Sequence, residues 1–193
     1  MPGMEGAGGR DVHPNSTHGV LIRVYPINSY IGDDPNYEEG PNGPGLTGIG
    51  RVIIAVRDLE QAIATYGERF AMDVAQPALD EARGVRSAIC TPPSGGVIEL
   101  VAVDNADSAF AHSIEGFLAT KGEGLYALIL HSNDLQKTEK ALGARGLDVS
   151  EVPDLKGTLE IDRDAMFGTR FWIEHSAWRR AHDHDGHAGA WLF

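Results

Sequence analysis

One internal match constrains this chain more than anything else in it. Asp58-Leu59 recurs as Asp134-Leu135 after 76 residues, while Asp73-Val74 recurs as Asp148-Val149, and Ile98-Glu99 as Ile173-Glu174, after 75. A single deletion between the two helical segments reconciles the offsets. A period this long, present in two copies, implies paired modules rather than a solenoid.

The two copies read alike. In the first, RVIIAV from Arg51 to Val56 is a buried strand, and Asp58 caps a segment in which Leu59, Ile63, Tyr66 and Phe70 recur at helical spacing. Val85 to Cys90 and Val97 to Val103, separated by a Pro-Pro-Ser-Gly-Gly turn, form a β-hairpin. The module is βαββ, or βαβββ if Asp73 to Gln76 also pairs. In the second copy Leu125 to His131 is a strand, and Asp134 caps an amphipathic helix from Leu135 to Arg145 that stops at Gly146. Leu159 to Ile161 and Arg170 to Glu174 supply later strands. The expected fold class is α+β, with modules at residues 48–104 and 125–176 and a connector, 105–124, carrying a short helix around Ile114 to Ala119. Residues 1–25 form an N-terminal extension whose one strand is Gly19 to Tyr25. Residues 26–47, rich in Pro and Gly, form a linker, and 177–193 form a His-, Asp- and Gly-rich tail.

Charge and composition exclude several functions. Sixteen Lys and Arg against 28 Asp and Glu give −12, which repels phosphate backbones and anionic membranes, so neither nucleic acid nor membrane is an expected partner. No apolar run is long enough to span a bilayer, and the first residues lack the apolar segment of a signal peptide. Cys90 is the only cysteine, which precludes an intramolecular disulfide and is consistent with a reducing, cytoplasmic setting. Gly48-Ile-Gly50 precedes its strand, the reverse of a dinucleotide fingerprint.

Arg51 to Ala62, RVIIAVRDLEQA, resembles the opening of a module of the vicinal oxygen chelate superfamily, the glyoxalase, bleomycin-resistance and extradiol-dioxygenase group. Gly95 to Leu100, GGVIEL, resembles the closing strand of such a module. The resemblance covers about Gly48 to Ser176. It implies paired βαβββ modules whose curled sheets form a partly closed, barrel-like cavity, into which the first and last strands of each module send one metal ligand. It also implies a small-molecule ligand and a homodimer. The first-strand ligand position falls on Arg51 and its repeat equivalent on Ala127, neither of which ligates a divalent cation. On the last strands Glu99 matches the acidic ligand. Glu174 matches it by internal alignment, although counting from Gly168 selects Trp172, which shares a strand face with residue 174. Glu99 and Glu174 are thus the candidate metal ligands. No cofactor is expected, a divalent metal being the one candidate. Arg51 either pairs with Glu99 or Glu174, filling the cavity, or offers its planar fork to an anionic ligand.

Other candidates complete the list. His131 stands four residues after Ala127 on the same strand face, where it serves as a general base or as a structural residue. Trp172, Phe171 and Trp178 are able to stack on a flat ligand, or to serve as core. His182 to His187 has the composition of a loose zinc or nickel site in a solvated tail, and Ala190 to Phe193 is apolar enough to dock on a surface. His13 to Arg23, HPNSTHGVLIR, resembles the closing strand of a methylmalonyl-CoA epimerase module. Arg23 stands where that motif has its acidic ligand, and the strand is either a remnant of a preceding module, an added sheet edge or a plain extension.

Three functions follow. The chain is a binding protein without the usual metal, lined by Arg51, Glu99, His131 and Trp172. Alternatively it is a lyase, epimerase or dioxygenase with altered ligands, using Glu99, Glu174 and His131. The third possibility is a structural or regulatory domain, marked by a cavity plugged with side chains.

Overall fold

A computed structural model describes residues 9–25, 43–93, 95–153 and 155–176. Trp178, the histidine-rich tail, the closing Ala190 to Phe193 and most of the linker lie outside the described residues. In chain order the elements are β1 (Arg10–Val12), β2 (Ile22–Val24), β3 (Leu46–Ala55), α1 (Leu59–Ile63), β4 (Asp73–Val74), β5 (Ala78–Asp80), β6 (Val85–Thr91), β7 (Ile98–Val103), α2 (Ala109–Thr120), β8 (Gly124–Ser132), α3 (Leu135–Gly143), β9 (Val149–Glu151), β10 (Leu159–Ile161) and β11 (Phe171–His175).

The α+β expectation holds, and the repeat is visible as topology. One mixed sheet runs β4-β6-β7-β3-β8-β11-β10-β9, with β5 also on β6. In each half the first strand lies parallel to the last, β3 to β7 and β8 to β11, and the middle strands follow outward as an antiparallel meander. The halves meet where β3 pairs antiparallel with β8. The sheet is open, its end strands β4 and β9 not joining.

The repeated Asp-Leu pair explains itself physically. Asp58 and Asp134 accept hydrogen bonds from the Gln61 and Lys137 backbone N–H groups, each at 3.0 Å, and so cap α1 and α3. The following leucines begin the apolar stripes that cover one sheet face. On this outer face α1 packs Leu59, Ala62 and its continuation Tyr66 against Ile54, Leu100 and Cys90. Farther along, Leu142 of α3 packs with Leu130 and Ile173. The inner face, reached by the alternate residues Ile53, Val101, Ile129 and Trp172, is covered by Phe110, Ile114 and Leu118 of α2. The connector helix spans twelve residues, longer than the sequence suggests, because Ser108 caps it: the Ser108 side chain accepts from the Ala111 N–H at 2.9 Å. The first helix departs in the other direction. After Ile63 its turns widen through Ala64–Arg69.

Rather than joining the edge of the main sheet, the N-terminal strand pairs with Arg10–Val12 to form a hairpin. Val20 and Ile22 pack on the outer-face core. His18 Nδ1 stands 2.9 Å from Glu123 Oε2 and its Nε2 3.3 Å from Thr65 Oγ1, while Tyr66 donates its hydroxyl to the Thr17 carbonyl at 3.1 Å. Gly19 completes the joint. At φ +79° its ideal Cβ would lie 1.8 Å from the Glu123 carbonyl oxygen, so any larger residue is excluded both by strain and by collision.

Two outcomes follow. Gly19→Ala will lower stability by about 2–4 kcal/mol through overpacking and left-handed strain, read as a drop in urea midpoint, with cleavage of the hairpin by a nonspecific protease as the local readout. The Cys90 thiol, fully buried and pushed up to about 11 by that burial, will react with a thiol reagent at neutral pH only as fast as the chain opens; rapid native-state labelling would contradict the packing.

Candidate functional site

The register of the central strands brings the first-strand arginine beneath both last-strand acids. On β3, Arg51 lies opposite the inner-facing Ile129, with a bulge between Ile49 and Arg51. Its Nε donates to Glu99 Oε2 at 2.8 Å. The Nη1 and Nη2 donate to Glu174 Oε2 and Oε1 at 2.5 and 2.9 Å, a two-pronged fork on one carboxylate. Arg51 and Glu99 are buried, and Glu174 is the most accessible of the three side chains, at 14% exposure against 8% and 4%. Among the described residues, the one other side chain that Glu174 accepts from is Thr158, through a 3.4 Å contact with its hydroxyl.

A second guanidinium, absent from the sequence reading, holds Glu99 from the other side. Arg83 Nη2 lies 2.7 Å from Glu99 Oε1, and its Nε lies 2.6 Å from Asp80 Oδ2. The result is an alternating chain, Asp80, Arg83, Glu99, Arg51, Glu174. Burial alone would lower both arginine pKa values, but facing Glu99, with Glu174 or Asp80 beside it, outweighs burial and raises them, so both stay charged. Burial also pushes the Asp80 carboxyl up, yet the backbone N–H and guanidinium of Arg83 hold it below the usual carboxylate range. Its contribution to stability is therefore complete at neutral pH and is lost as pH falls through its depressed native value. Nothing in Asp80 to Gly84, a charged turn between short strands, distinguishes Arg83 from an ordinary solvated arginine.

The register also explains why two alignments compete for the last-strand position. On β7, Glu99 pairs with Ile53, whose repeat equivalent is Ile129; on β11 the residue paired with Ile129 is Trp172, and Glu174 pairs with His131. Trp172 thus holds the position equivalent to Glu99, and Glu174 lies one pleat further along the same face. Trp172 packs between Phe110 and Tyr126, with ring centroids 6.0 and 5.8 Å away. Its indole Nε1 is buried without a hydrogen-bond partner among the described residues. His131 is 2% exposed, and its ring lies over Gly50, where an added Cβ would come within 2.3 Å of Nε2. Ala127 is a core residue of this face. Phe171 points the other way, joining the α3 cluster on the outer face, so alternation removes it from the group that Arg51, Glu99, His131, Trp172 and Glu174 form.

Residues 51–167 match the family described as the glyoxalase/bleomycin resistance protein/dioxygenase superfamily. The chain belongs to this superfamily. Among curated proteins no match is found. Solved structures with the same fold include methylmalonyl-CoA epimerase from Mycobacterium tuberculosis, 24% identical over 71% of this chain and 93% of that one, with a TM-score of 0.59. A Streptomyces coelicolor methylmalonyl-CoA epimerase in complex with 2-nitronate-propionyl-CoA is 22% identical over 68% of this chain and 99% of its own, with a TM-score of 0.55. A methylmalonyl-CoA epimerase in complex with methylmalonyl-CoA and ammonium gives the same identity and TM-score and covers 96% of its own chain. At these identities the likeness establishes fold alone.

The donor set does not fit the divalent metal that the superfamily resemblance implies. Glu99 and Glu174 are engaged by guanidinium groups, Ala127 offers no donor, and a cation between the acids would meet the fixed charge of Arg51. Among the described residues no group of three or more His, Cys, Asp or Glu could hold a metal ion, and Glu99, Glu174 and His131 are no exception. Among them, too, no helix is long and apolar enough to cross a membrane. Removing Arg51 would leave two buried acids with part of their charge uncompensated. Arg51→Met will therefore lower stability by about 3–5 kcal/mol, and adding Glu174→Leu will recover part of that loss, as read by urea denaturation of the two variants.

Proposed function

We propose that this chain binds a small carboxylate-bearing molecule on the inner face between its two modules, with Arg51 rather than a divalent metal as the positive centre. The observation that carries this reading is the fork of Arg51 on the Glu174 carboxylate. A bidentate guanidinium is a carboxylate receptor, and Glu174, the more accessible of the two acids on Arg51, is the one able to turn aside. Exchanging one carboxylate for another leaves the charge balance of the buried network unchanged, so the swap avoids the cost of an uncompensated charge. The buried indole Nε1 of Trp172 supports the reading as a donor that an oxygen of the ligand would complete. The acyl-CoA ligands named with the epimerases of the same fold suggest anionic acyl thioesters as the first class to try. We infer a cytoplasmic protein. A homodimer would leave the inner face complete in each copy, since both halves of the sheet come from one chain.

One observation favours a second reading, a structural domain whose cavity is filled: Arg51 is 7% and Glu99 3% exposed, and α2 side chains cover the same face. Two measurements test the metal-free site and separate the two readings, in that order. Metal content of tag-free protein lacking the residues after Ser176 is expected to be far below stoichiometric; about one equivalent per chain, surviving that truncation, would overturn the metal-free site. Calorimetric titration with methylmalonyl-CoA, and with malonate as a bare carboxylate probe, is expected to give binding that weakens about tenfold or more in Arg51→Lys, which keeps the charge but loses the fork. Absence of binding by either probe would favour the structural reading.

A further inference from the structure

Arg83 touches four residues at once. Its guanidinium holds Glu99 and Asp80. The Cζ of that guanidinium lies over the Phe110 ring, 5.3 Å from its centroid, in the first turn of α2. Its carbonyl accepts the Ser108 hydroxyl at 2.6 Å, and Ser108 is the cap of the same helix. The next residue strengthens the joint: the Gly84 carbonyl accepts the Asp104 and Asn105 N–H groups, each at 3.0 Å. At φ +66°, a Cβ on Gly84 would come within 2.2 Å of the Asn105 carbonyl oxygen. The turn after β5 is therefore fitted to the start of α2 with no room for a side chain between them. Phe110 in turn packs on Tyr126 and Trp172. Glu174, at the other end of the ion chain, has Arg51 and Thr158 as its side-chain partners and makes no direct bond to Arg83.

We propose that Arg83 is a positioning residue that couples the charge state of Glu99 to the seating of α2. By bonding Glu99 and lying over the Phe110 ring at once, its guanidinium makes the helix that covers the inner face respond to whatever changes Glu99. The proposal deepens the binding reading by assigning α2 as the element that yields when Glu99 is disturbed, and it rests on that reading only for its purpose. The coupling itself exists without a ligand. Glu99→Gln removes the charge that aligns Arg83 and leaves the Arg83 backbone, its contact with Ser108 and the Phe110 ring in place. Glu174→Gln removes a charge of the same network at the far end.

Hydrogen–deuterium exchange of the ligand-free full chain tests this. Amides of Phe110 to Leu118 in Glu99→Gln are expected to exchange about tenfold faster than in the wild type, with those in Glu174→Gln close to wild type. Equal acceleration in both variants, or none in either, would overturn the coupling. Should Glu99→Gln fail to fold, Arg83→Lys replaces it. The ammonium keeps a charge for Glu99 but has no planar face for Phe110, so α2 is expected to loosen while α3 exchanges as before; wild-type exchange in α2 would overturn the proposal. Since no ligand is present, failure here is distinguishable from failure of the binding reading, which is judged by the Arg51-dependent titrations.

Discussion

A guanidinium on the first strand of one half, bonded to acids from the last strands of both halves, is the constraint around which this molecule is organised. Arg51 stands on β3, the strand through which the halves join, and reaches Glu99 on β7 and Glu174 on β11. Each acid lies on a strand parallel to a central strand, so the three charges meet only if β3, β8 and their parallel partners keep register together. Slipping any of them by one residue would turn a buried charge to the outer face, against α1 or α3. The attraction is therefore a statement of specificity as much as of stability. Buried ion pairs seldom outdo well-packed apolar side chains energetically, but they penalise every arrangement that leaves one member alone.

The same network fixes what the inner face can do. In a fold that otherwise lends itself to metal chemistry, Arg51 supplies a positive charge that cannot be lost at any physiological pH and that presents directional donors rather than open coordination positions. Arg83 doubles the effect at Glu99 and carries it outward to α2. Carbonyl and carboxylate oxygens suit such a site, whereas a second cation does not. The acids differ in consequence: Glu99 is gripped from two sides, while Glu174 is held by Arg51 and a long contact from Thr158.

Much of this architecture could be read from the chain. The Asp-Leu repeat located α1 and α3, because a capping carboxylate followed by an apolar leucine is a local instruction that needs no tertiary context. The β-branched runs located β3, β6, β7 and β8 to within a few residues, apart from the early start of β3 at Leu46 within the expected linker. The sequence offers a pairing of Arg51 with Glu99 or Glu174 as one alternative, and the structure has it hold both. What was missed depends on contacts distant in sequence. The short β5 carries no alternation of its own and exists because β6 offers it an edge. The connector helix extends to Ala109 because the inner face receives Phe110. Arg83 was invisible because a turn arginine looks the same whether it faces water or a buried acid. Phe171 was misplaced among the site candidates because alternation fixes which residues share a face but not which face is inward, and only the position of Glu174 under Arg51 decides that.

The most direct test of Arg51 as the positive centre is the side-chain N–H spectrum of arginine by nitrogen-15 NMR, recorded before and after addition of equimolar zinc. With the guanidinium locked between Glu99 and Glu174, the Arg51 Nε–H, assigned by its loss in Arg51→Lys, will exchange slowly with water and remain unmoved by the metal. A rapidly exchanging Arg51 resonance, or one that shifts or broadens stoichiometrically as zinc enters, would mean that the two acids are open to a cation and that the guanidinium is not the centre of the site.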